Sequence, residues 1–232
     1  MRILGIIPAR GGSKEVPGKN IKLLNGKPLL AYTAEIALQS KYLSEVILSS
    51  DDQAIIAVAK STGIQVPFIR PSALAGDQTP TIDVIIHALQ WFESQDVFFD
   101  AVCLLQVTSP FRTVEFLDKA ITKFIASGCD SLVSVQKVPH EYNPHWTFEV
   151  NPEGNLNIAT GEDKIISRRQ ELPAAFHRDG SIYLTKTAVL LQQHSLYGKS
   201  ISFIESQAEF YVNIDTLTDW EKAEQMIINK QK

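Results

Sequence analysis

The sequence predicts an α/β fold: an open, mostly parallel sheet with helices on both faces and a β-rich insertion late in the chain. Three observations predict it. Over the first two-thirds, short β-rich runs alternate with amphipathic segments, the rhythm of strands joined by crossover helices. Each run is apolar at nearly every position, as strands covered on both faces require. The rhythm breaks once, after about residue 138, and then resumes.

Five runs read as strands of the first part: Ile3–Ile7, Glu45–Ser49, Gln65–Ile69, Ala101–Gln106 and Ser131–Gln136. Pro28 opens the first helix, where its missing N–H would be unpaired anyway, and Leu30, Ala34, Ala37 and Leu38 share a face. Ser50-Asp51 caps the second helix and Gly63 ends it. The third starts at Thr79-Pro80 and carries Ile82, Ile85, Ile86 and Leu89. The fourth starts near Thr113, carries Phe116, Leu117, Ala120, Ile121 and Phe124, and stops at Gly128. Pro139, Pro144 and Pro152 then interrupt short β-like pieces, with a turn at 151–155 between Trp146–Val150 and Leu156–Ala159. Tyr142, Trp146 and Phe148 make this segment too aromatic for a disordered tether. The alternation resumes with Gly180–Thr185, a helix over Ala188–His194, strands Ile201–Glu205 and Phe210–Ile214, and a last helix from Leu217. That helix has a capping-box pattern in Thr218-x-x-Glu221 and a stripe of Trp220, Ala223 and Ile227.

At 232 residues the chain is long enough for one full core, since roughly 70% of the unfolded surface is buried at this size. A single domain over 1–232 with an inserted arm at about 138–178 is expected. The two cysteines, Cys103 and Cys129, give no disulfide framework. With 22 basic and 26 acidic residues the net charge is −4, which argues against a nucleic-acid partner. The longest apolar run, Ala54–Ala59, is six residues, against about 18 for a membrane span. No signal-peptide pattern opens the chain, so a cytoplasmic protein with no membrane partner is expected.

Several familiar motifs fail on spacing. Gly198-Lys199-Ser200 ends like a Walker A loop, but the first glycine would fall at Gln193. No G-x-G-x-x-G occurs. Gly11-Gly12-Ser13-Lys14-Glu15 lacks the second glycine of a nucleophile elbow. His140-Glu141-x-x-x-His145 is one residue too long for a zinc helix, and Pro144 would break that helix.

The informative segment is Ala9–Asn20, directly after the first strand. The carboxyl end of a parallel strand is where open α/β sheets bind ligands. Gly11, Gly12 and Gly18 let backbone N–H groups approach a ligand closely. Arg10, Lys14 and Lys19 add three cations, and Ser13 and Asn20 add neutral donors. A triphosphate suits this set; the competing reading is a solvated glycine-rich surface loop.

Ile7-Pro8-Ala9-Arg10-Gly11-Gly12-Ser13-Lys14, followed by Pro17-Gly18-Lys19-Asn20, closely resembles the signature of the sugar-acid cytidylyltransferases, in particular the acylneuraminate (CMP-sialic acid synthetase) branch, including the CMP-legionaminic acid enzymes. The resemblance continues through Ser49-Ser50-Asp51, Arg70-Pro71, Leu74-Ala75-x-Asp77, Leu105-Gln106-x-Thr108-Ser109-Pro110-x-Arg112, Arg169-Gln170-x-Leu172-Pro173, Asp179-Gly180-x-Ile182-Tyr183 and Ile214-Asp215-Thr216. It spans nearly the whole chain. The octulosonate enzymes match less well, because their loop reads Arg-Leu-Pro-Gly-Lys where this chain has Lys14-Glu15-Val16-Pro17-Gly18.

The resemblance implies a Rossmann-like nucleotidyltransferase sheet whose insertion is a dimerisation arm. It implies an enzyme that joins CTP to the anomeric hydroxyl of a nonulosonic acid and releases pyrophosphate, for cell-surface glycan biosynthesis. Mg²⁺, or Mn²⁺, is the implied cofactor. By the same resemblance Arg10, Ser13, Lys19 and Asn20 hold the triphosphate, with Arg10 and Lys19 neutralising developing charge. Arg70 lies near the cytosine, Thr81 faces the nucleotide, and Gln106 contacts the sugar acid. Tyr183 lines the sugar pocket, and Arg169 approaches the sugar-acid carboxylate of the neighbouring subunit in a homodimer. Asp215 is the carboxylate for the metal, where the sialic acid enzymes commonly read Asp-Ile-Asp and this chain reads Asn213-Ile214-Asp215. Asn213 can still offer a carbonyl oxygen.

Structural readings compete at three of these positions: Arg70 as a loop-edge arginine, Gln106 as a satisfied buried amide, Asp215 as a helix cap. Two departures bear on the sugar. Trp146 falls near a sialic-type lysine, and His177 replaces an arginine before Asp179-Gly180, where the family reads Asn-Gly. An aromatic in place of a cation suggests a less hydroxylated, legionaminic-type acid as readily as N-acetylneuraminic acid. A pseudaminic acid or octulosonate enzyme and an inactive nucleotide-binding homologue are the other readings.

Overall fold

A computed structural model describes residues 1–207 and 211–230. Among the described residues the elements in chain order are β1 (Ile3–Pro8), β2 (Leu23–Leu24), β3 (Lys27–Pro28), α1 (Leu29–Gln39), β4 (Glu45–Ser49), α2 (Gln53–Ser61), α3 (Thr81–Glu93), β5 (Ala101–Leu104), α4 (Val114–Ser127), β6 (Ser131–Lys137), β7 (Phe148–Val150), β8 (Leu156–Ile158), β9 (Phe176–Lys186), α5 (Thr187–Gln193), β10 (Ile201–Glu205) and α6 (Leu217–Lys230). The chain divides into two compact units, 1–134 with 179–232, and 135–178.

The first unit is built on a mostly parallel sheet of order β10-β6-β9-β5-β1-β4. Strand β1 pairs in parallel with β4 and with β5, and β9 runs antiparallel to β5. Side chains alternate faces along a strand, and β1 is buried on both. Ile3 and Ile7 join a core with residues of α1, α2, α4 and α6. Leu4 and Ile6 are equally buried outside that core, and α3 contacts β1 while α5 contacts β5. Helices therefore cover both faces, as the apolar runs demand.

Local chemistry explains the boundaries. Thr113 caps α4 by accepting from the Phe116 N–H, and Gly128 ends it in the left-handed region at φ 65°. Cysteine Cys103 is buried and free, and burial pushes its thiol up to about 12. The rejected Gly198-Lys199-Ser200 stretch serves Asp130 instead, whose carboxylate accepts from the Lys199 and Ser200 N–H groups at 3.0 and 3.2 Å. The second unit holds the β7–β8 hairpin and short 3₁₀ turns at His140–Tyr142, Pro144–Trp146 and Arg169–Glu171. His145 there meets Glu162 at 2.8 Å and lies on no α-helix.

Five sequence expectations are corrected. Gln65–Ile69 is not a strand: it makes one bridge, Gln65 to Ile47, because Pro67 has no N–H to extend a ladder. The cap of α2 is Asp52, accepting from Ala54 and Ile55 at 2.8 and 3.0 Å, since Asp51 turns to the Gly11 N–H instead. Leu38 is 44% exposed, so the buried face of α1 ends at Ala37. For the expected strand Phe210–Ile214, Phe210 lies outside the described residues and 211–214 form no strand. The capping box of α6 is Thr216-x-x-Asp219, not Thr218-x-x-Glu221: Thr216 N–H donates to Asp219 at 2.8 Å and Asp219 N–H donates to Thr216 Oγ1 at 3.2 Å.

Candidate active site

The carboxyl edge of the sheet gathers loop 9–20 after β1, the β4–α2 turn, the segment after β5, residues 179–180 of β9 and residues 213–215. Strand β1 sits where chain order reverses across the sheet, the usual ligand crevice of an open α/β fold. Because β9 is antiparallel, its beginning reaches the edge at which β5 ends. Asp179 and Gly180 thereby come beside Gln106.

The loop is held in shape by its own polar groups. Gly11 N–H donates to Asp51 at 3.3 Å, and a Cβ on Gly11 would stand 2.6 Å from an Asp52 carboxylate oxygen, so a side chain there would push the carboxylate that caps α2. Asn20 is buried and spends its amide N–H on the Arg10 carbonyl at 2.9 Å. Arg10 and Lys14 converge on the single carboxylate of Asp77. Hydrogen bonds from Lys14 and then Arg10 hold the Asp77 carboxyl below its ordinary range. Lys19 reaches the Asp215 carboxylate at 3.0 Å and the Ile214 carbonyl at 2.8 Å. All three loop cations are thus matched by carboxylates, and Asp77 marks a point where two of them meet one anion.

Arg70 is buried rather than at a loop edge. Its guanidinium donates to the Ser49 hydroxyl at 3.1 Å and to the Ser49 carbonyl. Burial lowers it to about 10, with Asp51 opposing and Arg10 adding to the shift. It stays protonated at neutral pH. The neighbouring His87 packs edge-on against Phe68 at 4.7 Å, and burial followed by the Arg70 charge lowers its pKa.

At the end of β5 the Gln106 Oε1 lies 3.2 Å from where a Cβ on Gly180 would stand, with Asn213 Oδ1 and Ser109 Oγ within 3.7 and 3.9 Å of the same point. Gly180 has φ 78°, so a side chain there would be strained as well as crowded. Asn213 Oδ1 and Ser109 Oγ are buried without partners among the described residues. Asn213 turns its N–H₂ toward Asp215 at 2.5 Å. A half-turn of that amide exchanges N for O, which would put a carbonyl oxygen beside the Asp215 carboxylate. Oxygen ligands of this kind, few in number, suit a hard divalent cation that takes its other ligands from phosphates and water. No cluster of three His, Cys, Asp or Glu residues fit to hold a metal occurs among the described residues.

The structure thus brings together Arg10, Ser13, Lys19 and Asn20 on one loop, with Lys19 touching Asp215, and Gln106 near Asn213. Thr81 is the first residue of α3. Tyr183 is buried on β9, edge-on to Tyr197 at 6.3 Å. Arg169 belongs to the second unit, where it lines a cavity with His140, Glu141, Trp146 and Ile165. Sequence reasoning assigned no role to Asp77 or Arg112. The signal for Asp77 was the need of two loop cations for an anion; Arg112 left only its position after Thr108-Ser109-Pro110.

An open, switch-point sheet with a glycine-rich cationic loop at its carboxyl edge defines a nucleotidyltransferase-type α/β protein. The chain belongs to the cytidylyltransferase family, whose pattern matches residues 4–232. It is 38% identical over 229 residues to the CMP-N,N'-diacetyllegionaminic acid synthase of Legionella pneumophila, covering 98% of this chain and 97% of that protein. It is 36% identical to a pseudaminic acid cytidylyltransferase of Campylobacter jejuni, covering 96% of this chain and 95% of that protein. Among solved structures, a CMP:2-keto-3-deoxy-manno-octonic acid synthetase complexed with CTP superposes with a TM-score of 0.74 at 19% identity, covering 99% of this chain and 100% of that one. At that identity the likeness concerns the fold. Among the described residues no helix is long and apolar enough to cross a membrane.

Proposed function

We propose that this protein joins CTP to the anomeric hydroxyl of a nonulosonic acid of the N-acetylneuraminic or legionaminic type, giving a CMP-sugar and pyrophosphate. The observation that carries the reading is the convergence of Arg10, Lys14 and Lys19 on carboxylates at the switch-point edge, in a chain 38% identical to a CMP-legionaminic acid synthase. In the reaction the sugar oxygen forms a bond to the α-phosphorus, the bond from that phosphorus to the β-phosphate oxygen breaks, and the hydroxyl proton leaves. Such chemistry needs positioning and charge stabilisation more than covalent help.

In this reading Arg10, Lys19 and the loop N–H groups, with Ser13, hold the triphosphate, and the Asp77 carboxylate gives up Arg10 and Lys14 to it. Asn20 acts by fixing the loop. Arg70 and Thr81 face the nucleotide, and Gln106 and Tyr183 face the sugar acid. Asp215, with Asn213, would hold Mg²⁺ or Mn²⁺, which supplies neutralisation of the phosphate charge. The insertion acts as a dimerisation arm in a homodimer, and Arg169 offers its guanidinium fork to the neighbour's sugar-acid carboxylate. Exposed Tyr142, Phe148, Val150 and Leu156 on that unit support an association surface. A CTP-consuming reaction supports the cytoplasm as its compartment.

Product mass after incubation with CTP, Mg²⁺ and separate nonulosonic acids tests the reading. A CMP-legionaminic-type or CMP-N-acetylneuraminic product is the expected result. A product only with pseudaminic acid would favour the second reading, which the Campylobacter jejuni relative supports. CTP binding with no product from any acid would leave a nucleotide-binding homologue.

A further inference from the structure

Arg112 is 5% exposed, and a buried charge is costly unless it is paired or richly hydrogen-bonded. Among the described residues its three acceptors are all neutral. Its Nε donates to Ser181 Oγ at 3.1 Å, Nη1 to Thr33 Oγ1 at 3.3 Å, and Nη2 to the Gln106 carbonyl at 2.6 Å. No ion pair to it occurs among the described residues. The buried Asp179 carboxylate favours its charge and is linked to it through Ser181, whose N–H donates to Asp179 Oδ1 at 2.8 Å. Ser134 and Tyr211 tie Asp179 in turn, Tyr211 through its hydroxyl to the Asp179 carbonyl at 2.6 Å.

The fold therefore accepts a buried guanidinium whose fork joins α1, the segment after β5 and the middle of β9. What those contacts share is the rim of one spot. Gln106 and Ser181 flank Gly180, around which Gln106 Oε1, Asn213 Oδ1 and the 3%-exposed, unpaired Ser109 hydroxyl converge. Ser109 is itself in the turn that Arg112 closes, its N–H reaching the Gln106 carbonyl at 3.4 Å. One carbonyl thus takes both the turn and the guanidinium. A neutral replacement for Arg112 would free that carbonyl and let the Gln106 side chain drift.

We propose that Arg112 is a positioning residue for the sugar-acid substrate, holding the Gln106 and Ser109 groups around Gly180 through the Gln106 carbonyl and Ser181. The inference rests on the reading of Gln106 as a sugar-acid contact. Its cationic field also favours an anionic ligand at that edge, with no direct contact required.

Steady-state kinetics with CTP and the sugar acid varied separately test it, on Arg112→Met, Arg112→Lys and Ser181→Ala. Arg112→Met is expected to raise the sugar-acid KM by about tenfold or more, the usual effect of losing a charge-assisted hydrogen bond, with the CTP KM within about twofold. Arg112→Lys should fall between, keeping charge but not the fork. Ser181→Ala, which removes one acceptor and leaves the charge buried, should show the same split at smaller size and serves if Arg112→Met does not fold. Equal losses for both substrates, or an unchanged sugar-acid KM in folded variants, overturn the proposal. Gln106→Ala separates the two levels. If it leaves the sugar-acid KM unchanged, the reading of Gln106 fails and this inference with it; if it raises that KM while the Arg112 and Ser181 variants do not, this inference alone fails.

Discussion

The ammonium of Lys19 lies 3.0 Å from the Asp215 carboxylate, joining the glycine-rich loop to the entry of α6 across 196 residues of sequence. The same ammonium donates to the Ile214 carbonyl, so its position is set by two acceptors before any ligand arrives. In the proposed reaction this pair sets a phosphate-binding cation beside a carboxylate suited to a divalent cation.

Removing either partner should therefore have different signatures. Lys19→Met is expected to lower turnover by about 10²–10³, the usual effect of losing one preorganised donor to developing charge. Asp215→Asn should instead move the Mg²⁺ dependence to higher concentration. Initial rates across a Mg²⁺ titration check both, and identical metal dependence in wild type and Asp215→Asn would refute the metal assignment.

Asp77 offers a pH-dependent reading of the same loop. Hydrogen bonds from Lys14 and Arg10 depress its folded pKa, so the clamp is fully formed above the ordinary carboxylate range and is lost as pH falls through the depressed value. Carboxyl NMR titration should place Asp77 below the ordinary aspartate range. Lys14→Gln should raise it, and saturating CTP should raise it too if the triphosphate takes over the two cations. No movement with CTP bound would separate Asp77 from the triphosphate site.

Gly180→Ala combines two penalties, a left-handed φ of 78° and a Cβ 3.2 Å from Gln106 Oε1. A loss of about 1–2 kcal/mol in unfolding free energy is expected from the backbone alone, measurable by urea denaturation. A weakened sugar-acid KM should accompany it, because Gln106 must move. An Ala variant with wild-type stability and kinetics would contradict the crowding seen at this glycine.

The start of α6 allows a direct comparison of two caps. Asp219→Ala should cost about 1 kcal/mol, the typical price of losing a capping side chain, because Asp219 accepts from both Asp215 and Thr216 N–H groups at 3.1 and 2.8 Å. Glu221→Ala should stay within about 0.5 kcal/mol, as for surface changes away from such features. Thermal unfolding of the two variants decides between them.

The local part of this protein could be read in the sequence. Apolar runs placed β1, β4, β5, β6 and β10, and amphipathic stripes placed the helices, because burial on a strand or helix face follows a short period along the chain. Reading failed where a local signal had two solutions. Thr218-x-x-Glu221 and Thr216-x-x-Asp219 both fit a capping box, and only the direction from which the chain enters α6 chooses between them. Gln65–Ile69 has strand composition, yet its pairing depended on the N–H that Pro67 lacks.

Sequence by itself determined which groups could serve an anion: Arg10, Lys14, Lys19 and the loop glycines are contiguous, and their chemistry does not depend on the fold. Tertiary structure alone decided who meets whom. Asp77 on Arg10 and Lys14, Asp215 on Lys19, and Arg112 on Thr33 and Ser181 join residues far apart in sequence that only the tertiary fold brings near. The reversal of β9 against β5 places Gly180 at the edge where Gln106 ends, and strand direction is set by how the whole chain crosses the sheet, which no window of sequence contains.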